Sequence, residues 1–146
     1  MIVASYCGTS CGVPLFLHVF GAMLLVGSVA TVVLLAAVGL RNPLPMLNRV
    51  TFLSLLATVL PSWLAMRAGG QWLVSHEHLE HLNAAWLGIG FAVGDAGLVV
   101  LLITTGFAYW ATRRPPGGWQ ARAVAVLSAL YLVALAVAWF AMSGKP

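Results

Sequence analysis

The chain has 146 residues, 62% of them hydrophobic and 7% charged, with a formal net charge of +4 and a mean hydropathy of +1.00. A soluble domain carries about 25% charged residues, so this chain cannot coat itself for water, and lipid is the expected solvent. The few basic residues are too scattered to form a nucleic-acid surface, and the length leaves room for one domain of four spans of about 20 residues each.

The N-terminal tail holds the only cysteines, Cys7 and Cys11, and no basic residue before Val13. The apolar stretch that follows exceeds a cleavable signal's hydrophobic region, so the first span is expected to be retained. It is read as residues 13–39. Pro14 suits a first helical turn, where its missing N–H matters little. Within the span His18, Gly21, Leu25 and Ser28 share a face by the three-four spacing of a helix. The breaker cluster Leu40-Arg41-Asn42-Pro43-Leu44-Pro45 ends it.

The second span is read as residues 50–74. Pro61 inside it is expected to kink the helix and free the carbonyl of Ala57, with Thr58 placed to cap that carbonyl or bond locally. Two endings are open. The helix either stops at Ala68-Gly69-Gly70, letting Arg67 snorkel to headgroups, or continues through Gln71-Trp72-Leu73-Val74 and carries Arg67 inside the bundle.

Next comes a short polar run, Ser75-His76-Glu77-His78-Leu79-Glu80-His81, with three of the four histidines and two of the three acids. Ser75 is a fair N-cap and Glu77 a favourable first-turn residue for a helical lead-in to the third span. A solvated amphipathic segment, a zinc or copper site and a pH-responsive cluster all fit these residue types. The spacing matches no established metal motif. His76-Glu77-x-x-Glu80-His81 only approaches one.

The third span, residues 84–112, carries Asp95 near its middle. Gly90, Gly94 and Gly97 form a smooth stripe of the kind that lets membrane helices approach closely. Arg113-Arg114-Pro115-Pro116-Gly117-Gly118 is a turn, and the fourth span is read as residues 120–142, with Ala121, Ala125 and Ala129 and then Ala134, Ala138 and Ala141 as its small residues. The expected fold is all-α, an antiparallel four-helix transmembrane bundle.

Arg41, Arg49, Arg113, Arg114 and Arg122 cluster in the loops after spans one and three, against Arg67 and Lys145 on the other side. That asymmetry places those loops in the cytoplasm and both termini outside. Trp72, Trp86 and Trp139 near outer ends and Trp110 and Trp119 near inner ends fit aromatic belts. The expected location is multi-pass in a membrane.

Depth selects the candidate site. At 1.5 Å per residue, Asp95 lies about 15 Å, Arg67 about 10 Å and His18 about 7 Å below their outer span ends. An ionisable residue at such depth faces the bundle interior and has a partner as a rule, so His18, Arg67 and Asp95 form an expected outer-half polar cluster with an Arg67–Asp95 ion pair. The alternative leaves Asp95 protonated or bonded to a hydroxyl such as Ser62. His18 is either a hydrogen-bonded bundle residue or one axial ligand of a b-type haem, with His78 or His81 as the second. Cys7 and Cys11 are free, bridged by a disulfide, or join the histidines in a soft-metal site such as copper. No nucleophile–base arrangement, phosphate loop or catalytic carboxylate pair is found.

Leu17-His18-Val19-Phe20-Gly21-Ala22-Met23-Leu24-Leu25-Val26-Gly27 resembles the opening helix of small bacterial four-span membrane proteins of unknown function, a resemblance that makes the expected location a bacterial inner (plasma) membrane. It is also similar in style to the first helix of CopD-type copper-resistance domains and HemJ-type haem-pathway proteins, where His18 alone matches the pattern. Trp63-Leu64-Ala65-Met66-Arg67-Ala68-Gly69-Gly70-Gln71-Trp72 and Trp86-Leu87-Gly88-Ile89-Gly90-Phe91 resemble uncharacterised actinobacterial members. The resemblance over most of the chain implies a fold and no activity. Two functions follow as expectations: a non-catalytic accessory or structural protein, alone, as a homo-oligomer or within a larger membrane complex, or a redox or metal-handling protein holding haem b or copper through His18 and an outer-loop histidine.

Overall fold

A computed structural model describes the backbone of residues 12–76 and 85–143 and, within them, the side chains of 12–75 and 88–141. Among the described residues the chain is helical apart from two short connections. Helix α1 runs Gly12–Arg41. The second rod has three parts: α2, Pro45–Ser54; a π-helical turn, Leu55–Val59; and α3, Leu60–His76. Helices α4, Ala85–Thr112, and α5, Trp119–Ser143, complete the order. Four helical stretches are long and apolar enough to cross a membrane: Gly12–Arg41, Pro45–Ser75, Gly88–Thr112 and Trp119–Ala141.

The connections follow from local chemistry. Asn42 donates its backbone N–H to the Val38 carbonyl at 2.8 Å and Leu44 to Asn42 at 2.8 Å, which closes α1. Pro45 then opens α2 at a position where no N–H is required. The second connection needs a left-handed residue, and Gly117 supplies it with φ +83°.

Pro61 acts through the π turn. Leu60 donates its N–H to Leu55, five residues back, so one extra residue is inserted just before the proline that has no N–H to give. Thr58 donates to the Ser54 carbonyl at 2.6 Å and Ser62 to the Thr58 carbonyl at 2.6 Å. Of the two roles open to Thr58, the local bond is the one observed. The hydroxyls hold the disturbed stretch of ladder, as neighbouring Ser and Thr do in membrane helices.

Leu25, Val29 and Val32 of α1, Leu55 and Val59 of the π turn, Leu101 of α4 and Val124 and Tyr131 of α5 form the buried core. Apolar side chains also cover the outside: Phe16, Met23, Leu34, Leu130 and Val133 are each exposed by more than half. Helices apolar all round belong in a large protein core or a membrane, and none of the described residues covers these faces.

Helix α1 packs chiefly on α3 and also on α5, and α4 packs chiefly on α5. The second rod lies against α4 through α2 but touches it sparsely through α3. Close approach is built from glycine. A methyl group at Gly21 would stand 2.5 Å from the Met66 nitrogen, one at Gly69 would stand 2.5 Å from the His18 nitrogen, and one at Gly97 would strike the Tyr131 ring at 2.5 Å. Gly69 and Gly70 therefore do not end the second span. They lie mid-helix and let α1 and α3 touch backbone to backbone.

Candidate functional site: a polar cluster where α3 leaves α4

Beyond the π turn the α3 face toward α4 presents Trp63, Arg67 and Gln71, spaced four apart and so stacked on successive turns. Trp63, 9% exposed, donates Nε1–H to the Gly94 carbonyl at 2.9 Å. One turn on, Arg67 donates Nε–H to Asp95 Oδ1 at 2.8 Å, with Nη2 and Asp95 Oδ2 3.4 Å apart. Its Nη1 donates to Gln71 Oε1 at 2.8 Å. The guanidinium also lies over the Phe91 ring, 4.7 Å from its centroid, a cation–π contact that strengthens where water is scarce. The arginine stem passes Gly94 at ordinary packing distance, since a methyl group there would meet its Cδ at 3.8 Å.

The pair sits on an open flank. The Arg67 side chain is 25% exposed and that of Asp95 59%. The sequence reading places Asp95 toward the bundle interior. The geometry differs because α3 and α4 meet only sparsely at this end, so the carboxylate lies at the mouth of the gap. Ser62, the hydroxyl considered for Asp95, donates to Thr58 instead.

His18 lies on the α1 side of α3. Its Nδ1 is 2.8 Å from the Met66 carbonyl. A carbonyl only accepts, so Nδ1 carries the proton and Nε2 holds the free lone pair when the ring is neutral. The ring rests on Gly70, where a methyl group would come within 2.9 Å of Nδ1. His18 thus joins α1 to α3, whereas Arg67 and Asp95 join α3 to α4. The three share α3 as their support but do not form one bonded network.

Among the described residues no group of three or more His, Cys, Asp or Glu side chains could hold a metal ion. Cys7, Cys11, His78 and His81, with Glu77 and Glu80, lie outside the described residues, and His76 ends α3 with its side chain outside them. Sequence reasoning missed Trp63, Gln71 and Phe91. The four-residue spacing of Trp63, Arg67 and Gln71 is visible in the chain, but which helix they face is not.

At the opposite end, Arg113 lies over the Tyr109 ring at 4.5 Å and Arg114 over Trp110 at 5.9 Å. Trp119 meets Phe107 and Trp110 edge-on at 5.4 Å and 5.6 Å. Asn48 donates Nδ2–H to the Ala111 carbonyl at 3.1 Å, tying α2 to the end of α4. Beside it is a cavity of about 10 Å³ bordered by Thr51, Ala108 and Val124, at the lower limit for one water. It is too small for a substrate.

No family model, curated protein or solved structure matches the chain.

Proposed function

We propose that the chain is a non-catalytic accessory protein of a bacterial plasma membrane. In this reading it is an antiparallel four-helix bundle with both termini outside. Residues early in α1 meet residues in the later half of the second rod, as in the pairs Gly21 with Met66 and His18 with Gly69. Likewise Asn48 and Trp63 meet Ala111 and Gly94. The five arginines near the Arg41 and Arg113 connections set the cytoplasmic side.

The observation that carries the accessory reading is what the polar side chains do. His18 bonds a backbone carbonyl of α3, Trp63 bonds one of α4, and Arg67 bonds Asp95. Each fixes one helix to another. Thiol labelling of intact cells tests the orientation: an impermeant maleimide should reach Cys7 and Cys11 without lysis, and labelling only after lysis inverts it.

One observation favours a second reading, binding of haem b or copper. A histidine that donates Nδ1–H to a carbonyl holds its Nε2 lone pair in a fixed direction, the usual arrangement behind a metal-ligating imidazole. The absorption spectrum and metal content of detergent-purified protein decide between the two. The accessory reading expects colourless, metal-free, folded protein. A Soret band, or stoichiometric copper, that disappears in His18→Ala would replace it.

A further inference from the structure

The flank bearing Arg67 and Asp95 has polar capacity left over. Arg67 has five N–H groups, and its bonds to Asp95 and Gln71 engage three. Asp95 has four lone-pair sites, of which two face Arg67, and the Gln71 amide has two N–H donors with no partner among the described residues. The surface therefore offers donors and acceptors side by side.

Depth makes this consequential. Trp72 and Trp139 are both exposed, and such tryptophans mark the headgroup level of a bilayer. Trp72 lies five residues beyond Arg67, about 8 Å along the axis. Tyr131 packs beside Gly97, which puts Trp139 about 9 Å beyond the level of Asp95 at the same rise. The half-open charges thus fall inside the hydrocarbon, where an unsatisfied polar group is costly.

The same flank of α4 is low only near Asp95. Gly88 and Ala92 fall with Asp95 on one exposed stripe, which continues through the larger exposed Val99 and Leu102 to Gly106. A methyl group at Gly88 or Gly106 would meet nothing within 4 Å. This stripe is separate from Gly94 and Gly97, which are buried inside the bundle.

We propose that a second copy of this chain covers this flank through a two-fold axis along the membrane normal. The Arg67–Asp95 pair of one copy then lies against that of the other. Such an axis puts the two pairs at equal depth without further adjustment, and each copy supplies the acceptors and donors the other lacks. Ala92 and Gly88, one and two turns before Asp95, allow the approach at this level. A phospholipid is the poorer occupant: its phosphate would have to descend about 8 Å below Trp72 and would lie beside the Asp95 carboxylate. The inference rests on the accessory reading and names its partner.

Native mass spectrometry from micelles and from lipid nanodiscs tests it. The wild-type chain should run at twice 15.4 kDa. Ala92→Leu, which places bulk on the exposed stripe, should weaken association at least tenfold with helicity and melting unchanged. Asp95→Asn should weaken it too, and Leu130→Ala on exposed α5 should not. A wild-type monomer overturns the inference, and so does a dimer indifferent to Ala92→Leu. A monomer retaining phospholipid that Arg67→Gln strips would assign the flank to a headgroup instead. A Soret band would displace the accessory reading whatever the mass, whereas a colourless monomer would remove the second copy alone.

Discussion

Gly21 and Gly69 give the sharpest prediction, because their neighbours cannot yield. In Gly21→Ala the new methyl would lie 2.5 Å from the Met66 nitrogen, 2.9 Å from its Cα and 3.0 Å from the Ala65 carbonyl carbon. All three are backbone atoms of a continuous helix, so no rotamer relieves the clash. Reaching ordinary contact of about 3.5 Å requires α1 and α3 to part by about 1 Å, and a gap of that size forfeits a quarter to a half of each contact's attraction. Overpacking of this kind costs about 1–3 kcal/mol. The same shift stretches the 2.8 Å bond from His18 to Met66 beyond hydrogen-bonding range, at a further cost of about 1 kcal/mol. Replacing a helical glycine by alanine returns up to about 1 kcal/mol of propensity. The net expectation is a loss of about 1–4 kcal/mol. Gly69→Ala meets the backbone of His18 in the same way and should lose a similar amount. The double substitution should lose less than the sum, since one separation serves both methyl groups. Gly27→Ala is the internal control, because nothing lies within 4 Å of the new methyl. It should be neutral or stabilising by a few tenths of a kcal/mol. Reversible unfolding in mixed micelles, followed by helical circular dichroism, measures all four variants. Equal stability for Gly21→Ala and Gly27→Ala would refute the backbone contact between α1 and α3.

Three further outcomes rest on other contacts. Arg67→Gln and Asp95→Asn, combined in a double-mutant cycle, should show a coupling of about 1 kcal/mol, and strict additivity would mean the pair contributes nothing. Trp63→Phe removes the donor to the Gly94 carbonyl and should destabilise by about 1–2 kcal/mol in the same unfolding assay. Trp63→Phe melting like wild type would deny that bond a role. Tyr131 and Ser128 place buried hydroxyls that lack a partner among the described residues, so Tyr131→Phe should be neutral or stabilising by about 1 kcal/mol. A clear loss of stability in that variant would mean the phenol oxygen has a bonded neighbour.

Apolar runs of about 20 residues pointed to helices for a lipid solvent, because a helix satisfies its whole backbone within one such run. The breakers at Asn42-Pro43 and Pro115-Gly117 likewise fixed where the rods end, since proline and left-handed glycine act on the local chain. The helical spacing that stacks Trp63, Arg67 and Gln71 was present in the sequence too. What the sequence left open was decided between helices. Gly69-Gly70 reads equally well as a stop or as the middle of a longer helix, and the structure carries the helix through it with the backbone of α1 set against Gly69. Pro61 announced a disturbance, but its resolution as an inserted residue depends on where the Leu60 N–H found a carbonyl. Asp95 was placed at a depth by counting and toward the interior by the rule for intramembrane charges, yet its side chain is 59% exposed. Depth is a property of one strand of sequence, while facing is a property of two packed helices. Here α3 parts from α4 and leaves the carboxylate at the rim.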